Sequence, residues 1–219
     1  MLQYFYLHGF ASGVNSKKAQ YLKRKFSEKG YQLQVLDLNL GNFSTLQVSK
    51  VVQFVENIIG NKPAVLIGSS LGGLISLILA EKLSCIQKLI LLAPALEINT
   101  LWRQILGEEN LLIWEQQKKF PIKHIGYNQH VDLHYEFIQD LKVQPDREFI
   151  SKLPVLIFHG NDDGTIPVSV SKSYVLRNGQ ARLHVLESDH SLENSLEFIW
   201  LESEKFLFDD MIEDVNYAG

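Results

Sequence analysis

Three short runs constrain this chain most: Ala-Val-Leu-Ile-Gly at 64–68, Leu-Ile-Leu-Leu-Ala at 89–93 and Val-Leu-Ile-Phe-His at 155–159. Each is almost wholly apolar. A strand wet on one face alternates polar and apolar residues, whereas a strand covered on both faces does not. Such runs demand a sheet with helices on both sides. The full set of β-type runs is Gln3–Leu7, Gln32–Leu38, Ala64–Gly68, Lys88–Ala93, Pro154–His159 and Arg182–Leu186. Helical patterns fall between them, at roughly Ser16–Lys29, Thr45–Ile59, Leu71–Leu83, Val168–Arg177 and Ser191–Leu207, and Gly30 suits the end of the first. Strand–helix–strand alternation predicts an α/β fold, a doubly wound and mostly parallel sheet of about six strands.

A chain of 219 residues suits one domain spanning 1–219. With 46% apolar and 21% charged residues it has the makings of a packed core, and disorder is excluded as its main state. The net charge, 21 − 25 = −4, lacks the basic excess of a nucleic-acid binder. No apolar run approaches a membrane span, and the opening Met-Leu-Gln-Tyr-Phe-Tyr has no basic leader region, so a cytoplasmic protein with no membrane partner is expected. Cys85 stands alone, which rules out an internal disulfide, and is expected to be a small buried hydrophobe. The acidic tail Asp209–Gly219 is expected to fray.

The rhythm breaks between residues 96 and 152. No convincing strand occurs there, and helical spacing is found at Leu101–Ile105–Leu106 and Leu133–Phe137–Leu141. The stretch is too long for a connecting loop and reads as an inserted helical cap.

Gly68-Ser69-Ser70-Leu71-Gly72 matches G-x-S-x-G, at the end of a strand and the start of a helix. That context makes a tight turn presenting Ser70 as a nucleophile, with the helix N-terminus favouring negative charge behind it. The glycine patterns of phosphate and dinucleotide loops are absent. A serine needs a base, and the base an orienting acid, in the chain order Ser, Asp, His. His159-Gly160-Asn161-Asp162-Asp163 and Ser188-Asp189-His190 both follow strands, where open α/β sheets bind ligands. His190 is the candidate base and Asp163 the candidate acid. Asp162 competes with Asp163, or caps the turn; Asp189 could cap beside His190. Acyl transfer also needs two N–H groups facing the oxyanion, and Leu71 and Phe10, the latter in the loop His8-Gly9-Phe10, are placed to supply them.

Together these residues, with Ala93-Pro94 and Pro167, resemble the α/β-hydrolase superfamily. The start Tyr6-Leu7-His8-Gly9-Phe10-Ala11-Ser12, followed by Ser16-Lys17-Lys18-Ala19, is similar to the YqiA/YcfP-like group of small bacterial esterases. The resemblance implies a serine esterase or thioesterase of small or acyl-chain substrates, without a cofactor, on a minimal core lacking the first strands of the full fold. It also places an insertion where 96–152 lies. Asp189 departs from the glycine common in relatives before the histidine.

Alternative outcomes of the same machinery are C–C bond hydrolysis, a lyase reaction or cofactor-free haloperoxidase chemistry, and a further alternative is a non-catalytic binding or interaction protein. His8, Trp102 and Trp114 are candidate substrate contacts; for the His8 side chain the favoured reading is a structural one that orders its loop, and the tryptophans suit plain packing. His130 and His134 would share a face of a helix, but without H-E-x-x-H no metal site is expected, and His124 is uninformative. Lys17, Lys18, Lys23, Arg24, Lys25 and Lys29 crowd one helix, as a solvated face or a site for an acidic cofactor. A monomer or homodimer acting on a small ester or thioester is the expectation.

Overall fold

The computed structural model describes residues 1–143 and 149–208, so the tail expected to fray lies outside the described residues. In chain order the elements are β1 (Gln3–Leu7), α1 (Lys17–Glu28), β2 (Leu33–Leu36), α2 (Val48–Ile59), β3 (Ala64–Ser69), α3 (Leu71–Lys82) and β4 (Ile86–Leu92). There follow α4 (Ile98–Gln117), β5 (Lys119–His124), β6 (Gln129–His134), α5 (Glu136–Val143), β7 (Val155–Gly160), α6 (Val168–Arg177), β8 (Ala181–Leu186) and α7 (Leu196–Phe208).

Six strands form one parallel sheet in the order β2-β1-β3-β4-β7-β8. Side chains alternate across it. Phe5, Leu7 and Leu66 face the layer of α2, α3 and α6, while Tyr4, Tyr6, Val65 and Ile67 face α1 and α7. Every residue of β3 is buried, as its unbroken apolar run requires. Ser16 caps α1 by accepting the Ala19 N–H, and Gly30, at φ +80°, closes that helix where Tyr31 N–H returns to Phe26 O.

The chain runs outward from β1 to β2, then returns across β1 to β3. The order therefore reverses between β1 and β3, where open sheets leave a crevice at their carboxyl ends. Register levels those ends: Leu7 pairs with Gly68, and Gly68 with Leu91.

The segment between β4 and β7 corrects the expectation of a purely helical insertion. It runs helix, hairpin, helix, with β5 and β6 paired antiparallel from Lys119↔His134 to His124↔Gln129. Phe120, Ile122, Val131 and Leu133 alternate with polar residues along its strands. Pro121 obscures this alternation in the sequence, because proline argues against a strand, yet a two-stranded ribbon leaves it an unpaired edge. Leu133 thus belongs to a strand and only Phe137 and Leu141 to the helix; α4 itself breaks at Gly107. His130 and His134 are exposed on β6, opposite Lys123 and Lys119, and share no helix. Cys85 is half-buried rather than core, its Sγ 3.5 Å from Gly60 O. Among the described residues no helix is long and apolar enough to cross a membrane.

Candidate active site

Ser70 sits between β3 and α3 at φ 52°, ψ −116°, a conformation that costs a non-glycine residue ~1–3 kcal/mol. Its neighbours hold it there. A Cβ on Gly68 would lie 2.4 Å from Gly72 O, and one on Gly72 would lie 2.1 Å from Leu7 O. Only glycines let the helix start, the strand end and the neighbouring strand close to this distance. Ser70 N–H donates to Leu92 O at 2.9 Å, and Ala95 N–H returns to Ser70 O at 3.0 Å, so the turn is also bolted to β4 and the loop beyond it.

His190 arrives from the loop after β8. Its Nε2 lies 3.1 Å from Ser70 Oγ and its Nδ1 2.7 Å from Asp163 Oδ2. The second distance makes Nδ1 the donor and leaves Nε2 free to accept the Ser70 proton. Asp163, not Asp162, faces the histidine; Asp162 is exposed in the turn. Asp163 also does the capping foreseen for Asp162, its Oδ1 accepting the N–H groups of Thr165 and Ile166, each at 2.8 Å. Asp189 caps its own turn, accepting from Ser191 N–H and Oγ–H.

Burial pushes the Asp163 carboxyl up, but hydrogen bonds from His159, His190 and the Ile166 N–H outweigh it and hold the group well below the usual carboxylate range. It is an anion whenever the protein is folded near neutrality. His159 is the partner that sequence reasoning passed over. It is fully buried, with Nε2 2.9 Å from Ile166 O and 3.2 Å from Asp163 Oδ2, and Nδ1 against Ser171 Oγ at 2.8 Å. The signal was there in its placement, a histidine closing an apolar strand four residues before the acid.

No hydrogen bond among the described residues occupies the N–H of Phe10 or of Leu71. Phe10 lies in the loop after β1 and borders the cleft over Ser70, and Leu71 is the first residue of α3, directly after Ser70.

Residues 3–203 match the family described as Uncharacterised protein family (UPF0227). The chain belongs to UPF0227. A search of curated proteins found no match. Among solved structures, Est1E from Butyrivibrio proteoclasticus with ferulic acid bound is 19% identical, at a TM-score of 0.81 over 96% of this chain and 89% of that one. Mouse alpha/beta hydrolase domain-containing protein 10 is 20% identical, at 0.78 over 97% and 90%. MGS-MChE2, an alpha/beta hydrolase enzyme from a sediment metagenome of the Mar Chica lagoon in Morocco, is 20% identical, at 0.63 over 95% and 92%. The UPF0227 chain therefore has the α/β-hydrolase fold.

In this UPF0227 chain the cleft measures about 740 Å³ and touches Ser70, His190, Tyr6, Lys18 and the hairpin tip Ile125–Tyr127. The three side chains expected to contact substrate do not border it. His8 is buried; its Nδ1–H donates to Gly9 O at 2.8 Å and its Nε2 accepts the Leu38 N–H at 3.0 Å, so it braces the loop, as its structural reading held. Trp102 packs on the far side of the Phe10 ring, centroids 5.3 Å apart, and Trp114 lies deeper, its Nε1–H given to Leu133 O. Both tryptophans are the aromatic core of the insertion, together with Phe137.

His124 is far from uninformative. It is wholly buried, stacked on Tyr127 at 3.8 Å, accepts the Tyr127 N–H at Nδ1 and meets Asn39 Oδ1 through Nε2. Most cations of the basic helix α1 are already paired with carboxylates. Lys17 pairs with Glu193, Arg24 with Glu28, Lys25 with Glu28 and Glu197, and Lys29 with Glu204, which ties the helix to α7 and the loop before it.

Proposed function

We propose that this chain is a serine hydrolase of carboxylic esters or thioesters. One observation carries the reading: the relay in which Ser70 Oγ, His190 and Asp163 stand 3.1 and 2.7 Å apart in succession, at the carboxyl end of a parallel sheet. Ser70 attacks the carbonyl carbon while His190 Nε2 takes its proton. Asp163 holds the imidazolium as it forms. The N–H groups of Phe10 and Leu71 receive the oxyanion, aided by the N-terminus of α3. His190 returns the proton to the leaving alcohol or thiol, and water then repeats the sequence on the acyl-enzyme.

Est1E, whose fold this chain shares, was solved with ferulic acid bound, which fits a carboxylic acid in a cleft of this kind. The reading is tested by fluorophosphonate labelling of the intact protein, with the adduct mapped by mass spectrometry. Stoichiometric modification of Ser70, lost in His190→Ala, is the expected result. A well-folded protein left unlabelled overturns the proposal.

A further inference from the structure

We propose that the cleft selects substrates carrying an anionic oxygen group, carboxylate or phosphate, received by Lys18 Nζ and Tyr6 Oη. The inference rests on Ser70 being the nucleophile and adds the class of molecule it meets.

Tyr6 closes the floor of the cleft from the end of β1. Its side chain is fully buried, yet its hydroxyl has no hydrogen-bond partner. Native structures rarely leave a buried phenol unpaired, so an acceptor supplied from the cleft is its natural complement. Burial raises its pKa, and the hydroxyls of Ser69 and Ser16 lie near enough to temper that rise, but neither reaches hydrogen-bond geometry with it.

Lys18 is the member of the basic helix that turns inward. Its ammonium carries three donors, of which Ser191 O takes one at 2.7 Å. Burial lowers its pKa to about 8, against the pull of Glu193, Asp189 and Asp163, so it is a poorly solvated cation that still carries charge at neutral pH. None of these carboxylates pairs directly with its Nζ, which leaves donors open to an anionic oxygen from the cleft.

The acidic residues bordering the same cleft have commitments of their own. Glu193 is held by Lys17, Asp189 by Ser191, and Asp37 by the Asn39 N–H. A plain alkyl chain laid against Lys18 and Tyr6 would cover an ammonium and a phenol and bond neither.

The experiment compares kcat/KM for mono-4-nitrophenyl succinate and 4-nitrophenyl butyrate, of equal chain length, on the full chain and corrected for the faster spontaneous hydrolysis of the first. The wild type is expected to favour the succinate by roughly tenfold or more, as a charge-assisted contact allows. Lys18→Met and Tyr6→Phe should each draw that ratio toward one, and Lys18→Arg should restore most of it. Protection of Ser70 from fluorophosphonate by succinate or by glycerol 2-phosphate, lost in Lys18→Met, separates carboxylate from phosphate and covers a charge carried on the alcohol side. Absence of both preference and protection, with Ser70 still labelled, overturns the proposal and leaves the hydrolase reading intact. So does a Lys18→Met enzyme in which both rates fall and the ratio stays, since Lys18 would then merely hold the Ser191 loop. Failure of labelling itself is failure of the hydrolase reading.

Discussion

Asp163 answers to four groups at once. One oxygen gathers the N–H groups of Thr165 and Ile166 and the other meets His190 and His159. Asp163→Asn keeps the shape but offers an amide where His190 needs a carboxylate, which favours the wrong tautomer; kcat is expected to fall by ~10⁴. The same substitution has a pH signature. A carboxyl held below its ordinary value stabilises the fold fully above the unfolded value and loses that contribution as pH falls through the folded one. Thermal melts between pH 7 and 2 should therefore show a steeper acid decline in wild type than in Asp163→Asn; parallel curves would refute it. Ser70 makes the opposite trade. Its backbone is strained, and Ser70→Gly releases that strain, so an unfolding free energy in urea higher by ~1 kcal/mol is expected alongside complete loss of turnover.

Among the elements, the parallel strands were the most legible. Continuous apolar runs located β3, β4 and β7, because a strand buried on both sides has few other compositions open to it. The residues brought together at Ser70 were legible for a related reason: a glycine-flanked turn and two polar strand ends leave little choice of place. The hairpin was not legible, since Pro121 masks β5 and since Phe137 and Leu141 continue an apolar spacing begun on Leu133 of β6. Nor was the inward turn of Lys18, which one basic residue among six does not announce. The insertion grips the core through long-range contacts that no local pattern reveals. Asp140 of α5 accepts both the N–H and the hydroxyl of Ser49 in the first turn of α2, whose N-cap Gln47 makes no side-chain bond of its own. Asp140→Ala should cost ~1 kcal/mol in chemical denaturation, the usual worth of a helix cap. An unchanged midpoint would show the contact to be idle.

At the scale of the whole molecule, two buried imidazoles connect the layers. His8 braces the loop after β1, and His124 joins the hairpin to Asn39, which in turn donates to Ser12 O. Burial lowers both pKa values, and His8 adds to the effect on His124. The unfolded chain takes up protons at these positions below ~6.5, before the folded chain does. Stability is thus complete above that value and drains away as pH falls through the depressed native values. Calorimetry at pH 7.5 and 5.0 should find a lower Tm at pH 5.0, and His124→Gln should lower the pH 7.5 value while narrowing the gap. A gap that survives in both His124→Gln and His8→Gln would place the acid sensitivity elsewhere.

The hairpin tip also donates Ile125 N–H to Ala11 O, one residue beyond Phe10. The hairpin tip that borders the cleft and the loop proposed to seat the oxyanion are therefore fastened to one another. Lengthening the hairpin would tug on the N–H proposed to receive the developing charge. The opposite wall, from Ser12 to Lys18, is tied in its turn to the loop that carries His190, through Lys18 to the Ser191 carbonyl and Lys17 to Glu193. Both walls of the cleft are thus coupled to the residues gathered around Ser70 and His190.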